Sequence, residues 1–142
     1  MNKVVLISIG LCLSQHCTST LVDLVLTLRC LKQIIREWLD EGDRPTAVIA
    51  GYDYIAIGMM HALKEAGLRV PEDMALVGYD DIPRAAYLTP SLSSIHIPIE
   101  ESCRRTVDLM MKKIDDHYYS EHEDITLLSE YVARESSGGE RH

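Results

Sequence analysis

Two copies of the tripeptide Gly-Tyr-Asp carry the acidic side chains best suited to chemistry in this chain. The first copy spans residues 51–53, and the second, residues 78–80, is followed at once by Asp81. Each copy comes directly after a short apolar run of the kind that forms a buried strand, residues 46–50 and 74–77. Glycine lets the backbone turn sharply off a sheet and present the carboxylate that follows. The pattern therefore predicts two acidic positions at strand ends.

The segments around these motifs are arranged as a strand, a helix and a second strand. Between the two apolar runs, one helical face carries Ile55, Met59, Ala62 or Leu63, and Ala66, and Gly67 closes the helix. Such a βαβ unit has parallel strands and a right-handed crossover. Gly78 is expected to end the second strand. Because ligands in α/β folds bind at the carboxyl ends of strands, we expect both acidic motifs to lie at one edge of the sheet.

The three aspartates are expected to have different roles. Asp53 directly precedes the predicted helix, so we interpret it chiefly as a helix N-cap and only secondarily as a ligand contact. No helix begins immediately after Asp80, and a ligand hydroxyl or ring nitrogen is its favoured partner, with loop stabilisation as the alternative. Asp81 precedes Ile82 and Pro83 and is expected to order that loop.

An enzyme is the less favoured reading of these carboxylates. The Asp80-Asp81 pair resembles the magnesium-binding pocket of phosphoryl-transfer α/β proteins, with Asp53 as the nucleophile. Such a site also needs a lysine after a later strand, whereas Lys112 and Lys113 fall on a predicted helix. The sequence contains no GxSxG motif and no glycine-rich phosphate loop. We therefore predict no catalytic residues, no cofactor and no metal site.

Composition limits the remaining classes. The chain has 142 residues, 14 Lys and Arg against 22 Asp and Glu, and 46% apolar residues, which indicates one acidic globular domain. A net charge of −8 repels nucleic acid. No apolar run has the length of ~18–20 residues that spans a membrane. The cysteines form no CxxC pair and indicate a reducing compartment; they are Cys12, Cys17, Cys30 and Cys103, and Cys103 is expected to be a buried small hydrophobe.

The first forty residues predict one strand and one helix. Lys3 followed by an apolar stretch over 4–13 is compatible with a signal peptide or with a buried strand. Because no small-x-small cleavage pattern follows, we favour a strand over residues 4–7. Apolar residues at steps of three and four then predict an amphipathic helix over 20–41, ended by Gly42.

The last third of the chain predicts a strand, a helix and a final strand. Residues 90–98 are bounded by prolines and suit a crossing segment or an edge strand, in which His96 is a strand residue and not a ligand. A helix opens at Glu100 and Glu101, with an apolar stripe expected to be core, composed of Cys103, Val107, Met110, Met111 and Ile114. Residues 115–124 predict a solvated loop rather than a metal site, despite its members His117, Glu121, His122 and Glu123. A last strand is expected over 125–133 and a frayed tail over 136–142.

Several motifs occur together, in order, and resemble one family. They are Gly-Leu-Arg-Val-Pro-Glu-Asp at 67–73, Val-Gly-Tyr-Asp-Asp at 77–81 and Arg-Glu-Ser-Ser at 134–137. Over residues 31–138 the chain resembles the LacI/GalR family of transcriptional regulators. The resemblance implies an α/β fold, a parallel sheet flanked by helices, which is the C-terminal subdomain of a type I periplasmic-binding-protein-like domain. Residues 1–30 are then an atypical strand and helix segment, and 139–142 a disordered tail.

The resemblance also implies a function. Asp80 matches the carboxylate that binds a sugar or purine effector in many members. Tyr52 replaces an effector-contacting Asn and is expected to stack on a ring, while Asp53 matches a widely shared Asp. We therefore expect a cytoplasmic effector-binding module, with Asp80, Tyr52 and Asp53 at its ligand site.

The same resemblance implies partners. Operator DNA would be reached only through a helix-turn-helix headpiece, which is not recognisable in these 142 residues. The apolar surface of residues 90–114 would normally contact the other subdomain, and we expect a second copy of the chain to cover it in a homodimer. No membrane contact is expected. The alternative function is a dimerisation remnant that binds no ligand.

Overall fold

The computed structural model describes residues 3–7, 22–42, 44–115 and 124–139, and its order of elements confirms the predicted α/β class. In chain order these elements are β1 (Val4–Ile7), α1 (Val22–Glu41), β2 (Ala47–Ala50), α2 (Asp53–Glu65), β3 (Ala75–Asp80), β4 (Ser93–His96), α3 (Ile99–Asp115) and β5 (Glu130–Val132). Two short 3-10 turns lie at Pro83–Tyr87 and Glu135–Ser137. None of these helices is long and apolar enough to cross a membrane. The predictions for Cys12, Cys17 and the histidines and glutamates at 117–123 lie outside the described residues.

The described strands form one mostly parallel sheet. Their spatial order is β1-β2-β3-β4-β5, in which the first four strands run parallel and β5 runs antiparallel to β4. The predicted parallel pairing of the two motif-bearing strands is confirmed, with Val48 opposite Leu76 and Ile49 opposite Val77. The interpretation of residues 90–98 as an edge strand is wrong, because β4 lies between β3 and β5.

The core lies where α1 and α2 pack on each other and α2 packs on β2 and β3. Helical spacing places one apolar face of each helix inward, and the chain has no Phe, so aliphatic and Met side chains fill the space. α2 ends before Gly67, whose φ of +75° is a left-handed conformation that glycine adopts without a steric penalty. The largest fully buried apolar side chains are Ile35, Val48, Met59, Leu63, Met74, Leu76 and Leu92.

The first strand confirms one prediction about the N-terminal region. β1 pairs in parallel with β2, and Ile7 is only 6% exposed. The apolar run over residues 4–7 is therefore part of the sheet. The same strand is at the edge of the described sheet, and its side chains Val4 and Leu6 are exposed.

The apolar stripe of α3 is not core, contrary to prediction. No residue of this helix is buried, Cys103 is exposed, and Val107, Met110, Met111 and Ile114 are between 50% and 61% exposed. Helical spacing identifies which face of a helix is apolar, but it does not identify what covers that face. The described part of the chain leaves this stripe uncovered.

The last described residues are more ordered than the predicted frayed tail. Ser136 is fully buried, and its Oγ donates to the carbonyl of Leu76 at 2.6 Å and accepts from the N–H of Ser93 at 2.8 Å. The prediction of a tail beginning at residue 136 is therefore wrong. The predicted strand over 125–133 is shorter than expected, because only Glu130–Val132 pairs with β4.

Two substitutions by alanine, one in the core and one on the exposed face of α3, test where the core lies. Leu63→Ala should lower the free energy of unfolding by about 2–5 kcal/mol, since Leu63 is fully buried. Ile114→Ala, on the exposed face of α3, should change it by less than about 0.5 kcal/mol. Urea denaturation of dilute protein, followed by circular dichroism, measures both values. Equal losses in the two variants would contradict the placement of the core.

Candidate functional site

The two Gly-Tyr-Asp motifs meet at one edge of the sheet, as predicted. β2 ends at Ala50, so Tyr52 and Asp53 follow its carboxyl end, and β3 ends at Asp80 on the neighbouring parallel strand. The side chain of Asp53 lies close to the backbone of β3, and its charge acts on Asp80. Parallel pairing alone is responsible for this meeting, because it aligns the ends at which both motifs occur.

Asp53 is buried, and its N-cap role is not what the structure shows. The N-cap of α2 is Tyr52, which makes no side-chain capping bond, and Asp53 is the first residue of the helix. The Asp53 carboxylate is fully buried: Oδ1 accepts from Ser94 Oγ at 2.6 Å and Oδ2 accepts from the N–H of Ile82 at 2.8 Å. These donors come from β4 and from the loop after β3, so helix position by itself could not reveal them. Asp53 thus links three segments of the site.

Gly78 makes room for that carboxylate. A Cβ at this position would lie only 2.0 Å from Asp53 Oδ1. The prediction that the strand ends at Gly78 is wrong, because β3 continues to Asp80. The glycine is therefore required by the close approach of Asp53 to the sheet and not by a turn.

Asp80 and Asp81 form a strained turn at the end of β3. Both are non-glycine residues with positive φ, +110° and +53°, a conformation that costs energy and is found at functional sites. Burial, and then the negative charge of Asp53, raise the pKa of Asp80 above its usual value of 3.8. Within the described residues, the Asp80 carboxylate has no hydrogen bond or ion pair. It is therefore available to a ligand.

Asp81, by contrast, orders the loop, as predicted. Its Oδ1 accepts from Arg134 Nη2 at 2.8 Å, and its Oδ2 lies 3.1 Å from His96 Nδ1. The Asp81 N–H donates to Ser94 Oγ at 3.1 Å. His96 is half exposed on β4, in keeping with its interpretation as a strand residue. These contacts hold the turn while leaving Asp80 unpaired.

Arg134 is a residue of the site whose role the sequence did not reveal. Its guanidinium also donates to the Leu92 carbonyl at 2.7 Å, and its backbone N–H donates to Ser93 Oγ at 2.7 Å. The signal in the sequence was an arginine directly after a predicted strand, but its partner Asp81 lies 53 positions earlier. Arg134 joins the end of the chain to the site.

A cleft of about 830 Å³ opens between this turn and the start of α3. The side chain of Tyr52 is 47% exposed at the same sheet edge, but Tyr52 does not line the cleft. Asp53 is fully buried and does not line the cleft either. The lining residues are Asp80, Asp81, Ile82, Pro83, His96, Ile97, Pro98, Ile99, Glu100, Glu101 and Arg104.

The geometry does not suit phosphoryl transfer. Both oxygens of Asp53, the predicted nucleophile of that alternative, accept hydrogen bonds in a site with no exposure to solvent. An in-line attack needs a carboxylate that can reach the substrate. In the described ranges, no group of three or more His, Cys, Asp or Glu side chains is arranged to hold a metal ion. Asp53 is therefore not placed to act as the nucleophile of that alternative.

Comparison with known families matches residues 15–137 to the periplasmic binding protein-like domain. Among curated proteins, the chain is 43% identical over 94 residues to the lactose operon repressor of Rhizobium radiobacter, covering 66% of this chain and 81% of that protein. It is 41% identical over 80 residues to the ribose operon repressor of Escherichia coli K12, covering 56% of this chain. It is 40% identical over 86 residues to the repressor PurR of Escherichia coli O1:K1, covering 61% of this chain. The matches to these last two proteins span 24% of their length.

Solved structures agree with the sequence matches. A LacI family transcriptional regulator from Enterococcus faecium with bound ribose superposes with a TM-score of 0.67 at 33% identity, covering 78% of this chain and 40% of that one. The lac repressor dimer, bound to operator and an anti-inducer, gives a TM-score of 0.66 at 28% identity, covering 79% of this chain and 37% of that one. The chain thus spans about two fifths of these regulators.

The raised pKa of Asp80 predicts a stability effect of defined sign. The native state binds a proton at Asp80 more tightly than the unfolded state, so stability falls as pH rises from 3.8 through the raised value. Asp80→Asn removes the penalised charge. The variant should therefore melt at a higher temperature than wild type at pH 7, by an amount that shrinks as the pH is lowered toward 3.8.

Asp73→Asn is the matched control. The backbone N–H and then the side chain of Arg69 donate to Asp73 and lower its pKa, so this substitution should lower the melting temperature at pH 7. Thermal melts between about pH 4 and pH 7 compare the two variants. A destabilised Asp80→Asn protein at neutral pH would refute the assignment of an unpaired, penalised carboxylate.

Proposed function

This chain belongs to the LacI/GalR family of periplasmic binding protein-like domains, and from that membership we propose that it is the effector-binding module of a DNA-binding transcriptional regulator. Its effector is a small sugar or a purine. The relatives named for lactose, ribose and PurR support this class of ligand. We assign the module to residues 31–138, with 1–30 as an atypical N-terminal segment and 139–142 as a tail.

The observation that carries the proposal is the unpaired carboxylate of Asp80. It lines the cleft at the carboxyl end of a parallel strand, where α/β folds bind ligands. An ionised carboxylate accepts several hydrogen bonds, so it can receive two sugar hydroxyls or a ring N–H. Asp80 is thus proposed as the main ligand contact.

Tyr52 and Asp53 are proposed to act beside it in different ways. Tyr52 has an exposed ring at the same sheet edge and can stack on the flat face of a sugar or a purine. Asp53 has no exposed surface, so its contribution is to position the turn through Ile82 and Ser94. The proposed ligand site is therefore Asp80 in the cleft and Tyr52 beside the cleft, with Asp53 holding the turn.

In this proposal the module senses the ligand and does not itself contact DNA or catalyse a reaction. A net charge of −8 makes contact with phosphate backbones unfavourable. Operator binding is therefore assigned to the DNA-binding headpiece of the cytoplasmic repressor in which we propose that this module acts. A ligand that binds one arrangement of the regulator more tightly shifts its population and so changes operator affinity.

Ligand binding can be measured directly. The purified chain is titrated by calorimetry with ribose, glucose, galactose, hypoxanthine and guanine, and is melted in the presence of each. A ligand at about 100 times its dissociation constant stabilises by about 2.7 kcal/mol, which shifts the melting temperature measurably. Asp80→Ala should abolish that response, since no other described side chain in the cleft offers an unpaired, partly buried carboxylate.

Asp73→Ala, at the opposite end of β3, should retain the binding and serves as the matched control. A cooperative melt that no member of the panel moves would favour the alternative, a folded dimerisation remnant. Binding that survives in Asp80→Ala would refute the assignment of the site.

We also propose that a second copy of the chain covers the stripe of α3. The stripe consists of Cys103, Val107, Met110, Met111 and Ile114, all on a helix without buried residues. The first turn of α3 carries Glu100 and Glu101, and its last turn carries Lys112 and Lys113. Two such helices packed antiparallel bring acidic ends beside basic ends and oppose their dipoles. The lac repressor relative is a dimer, which supports self-association in general.

Sedimentation analysis tests this homodimer. Val107→Asp places a charge in the middle of the stripe and should weaken self-association at least about tenfold, because burying an unpaired carboxylate is costly. Ser102→Asp adds the same charge on an adjacent face of the first turn and should leave the dimer intact. A wild-type chain that is monomeric at high concentration would refute the pairing, and so would a dimer unaffected by Val107→Asp.

A further inference from the structure

The cleft beside Asp80 is rich in carboxylates and poor in groups that bind anions, and we propose that it selects an uncharged ligand over the phosphorylated form of the same ligand. The ligand class is a free sugar or nucleobase whose hydroxyl or N–H groups donate hydrogen bonds. The inference rests on the proposed function, since it takes this cleft as the effector site. It adds to that function the statement that the cleft discriminates between ligands by their charge.

The charges that line the cleft are mostly negative. Among its described lining residues are four carboxylates, and the basic side chains are Arg104 and His96. Arg104 is hydrogen-bonded to Glu101, and His96 lies against Asp81. The lining carboxylates are Asp80, Asp81, Glu100 and Glu101.

Two of these carboxylates remain without a cation. In the part of the chain that the structure describes, no ion pair involves Asp80 or Glu100. Arg134, the other nearby cation, is engaged with Asp81 and with the Leu92 carbonyl. A ligand anion would therefore enter a cleft whose carboxylates outnumber its cations.

The backbone at the turn is also unable to receive an anion. Successive N–H groups around left-handed residues form the concave nests in which proteins bind phosphate, and the positive φ angles at Asp80 and Asp81 would suit such a nest. Here, however, the Asp81 N–H donates to Ser94 Oγ and the Ile82 N–H donates to Asp53 Oδ2. Both donors face away from a ligand because internal acceptors hold them.

Hydroxyl groups meet a different environment in the same cleft. Asp80 offers only acceptor atoms when ionised, and a sugar with neighbouring hydroxyls can donate to both of its oxygens. Such donors favour the charged form of Asp80, which burial and Asp53 disfavour. A phosphate would add a third negative charge next to Asp53 and Asp80. The free ligand therefore relieves the electrostatic penalty that a phosphorylated ligand increases.

Matched ligand pairs test the rule. The chain is titrated by calorimetry with ribose against ribose 5-phosphate, glucose against glucose 6-phosphate, and inosine against inosine 5′-phosphate. The uncharged member should bind at least about tenfold more tightly than its partner at low salt. Raising the salt from about 50 mM to about 500 mM should reduce the ratio of the two dissociation constants in each pair, since salt screens repulsion in an open cleft.

Two variants that each remove one negative charge test whether the carboxylates of the cleft cause this preference. Glu100→Gln removes one unpaired carboxylate of the cleft and should reduce the preference for the uncharged member several-fold. Glu72→Gln removes the same charge from the exposed turn before β3 and should leave the ratio as in wild type. An equal effect of both variants would mean that net charge, and not the cleft, determines selection, and would overturn the inference.

The outcomes separate this inference from the proposed function. Tighter binding of a phosphorylated member would overturn the charge rule and leave the effector site in place. Binding of neither member of any pair would overturn the proposed function, and the charge rule with it. Preference for the uncharged member, reduced by Glu100→Gln and by salt, would support both.

Discussion

The site depends on one buried carboxylate. Asp53 has no solvent exposure, yet both of its oxygens accept hydrogen bonds, from Ser94 on β4 and from the Ile82 N–H after β3. Hydrogen bonds to a charged group contribute about 1.5–3 kcal/mol each, and a buried charge that lost them would be strongly destabilising. The carboxylate can occupy this place only because Gly78 has no Cβ to obstruct it. Three segments distant in sequence are thereby held at one sheet edge.

That arrangement separates the work of the neighbouring aspartates. Asp81 is held by Arg134 and faces His96, so it is committed to maintaining the turn. Asp80 is left with a strained backbone, a raised pKa and no partner within the described residues. A group kept under such a penalty is typical of a binding site, where the ligand supplies the missing interaction. The strain and the raised pKa at Asp80 thus lower the stability of the fold, and the hydrogen bonds of Asp53 offset that loss.

The two sides of the cleft differ in how firmly they are built. One wall is the packed sheet, where Ser136 and Arg134 return from the end of the chain to join β3 and β4. The other wall is the first turn of α3, a helix without a buried residue. A ligand in the cleft would contact both walls.

The sequence by itself determined the elements and their pairing. Continuous apolar runs and helical spacing predicted β2, α2 and β3 as a parallel unit, and parallel strands align their carboxyl ends, so Tyr52, Asp53 and Asp80 were expected at one edge. Only the tertiary structure decided what each side chain does there. The donors that make Asp53 a link instead of a helix cap, and the arginine that holds Asp81, lie 29 to 53 positions away in the chain. It also decided that β4 is interior and that the stripe of α3 is bare, because periodicity reports which face is apolar and not which surface meets it.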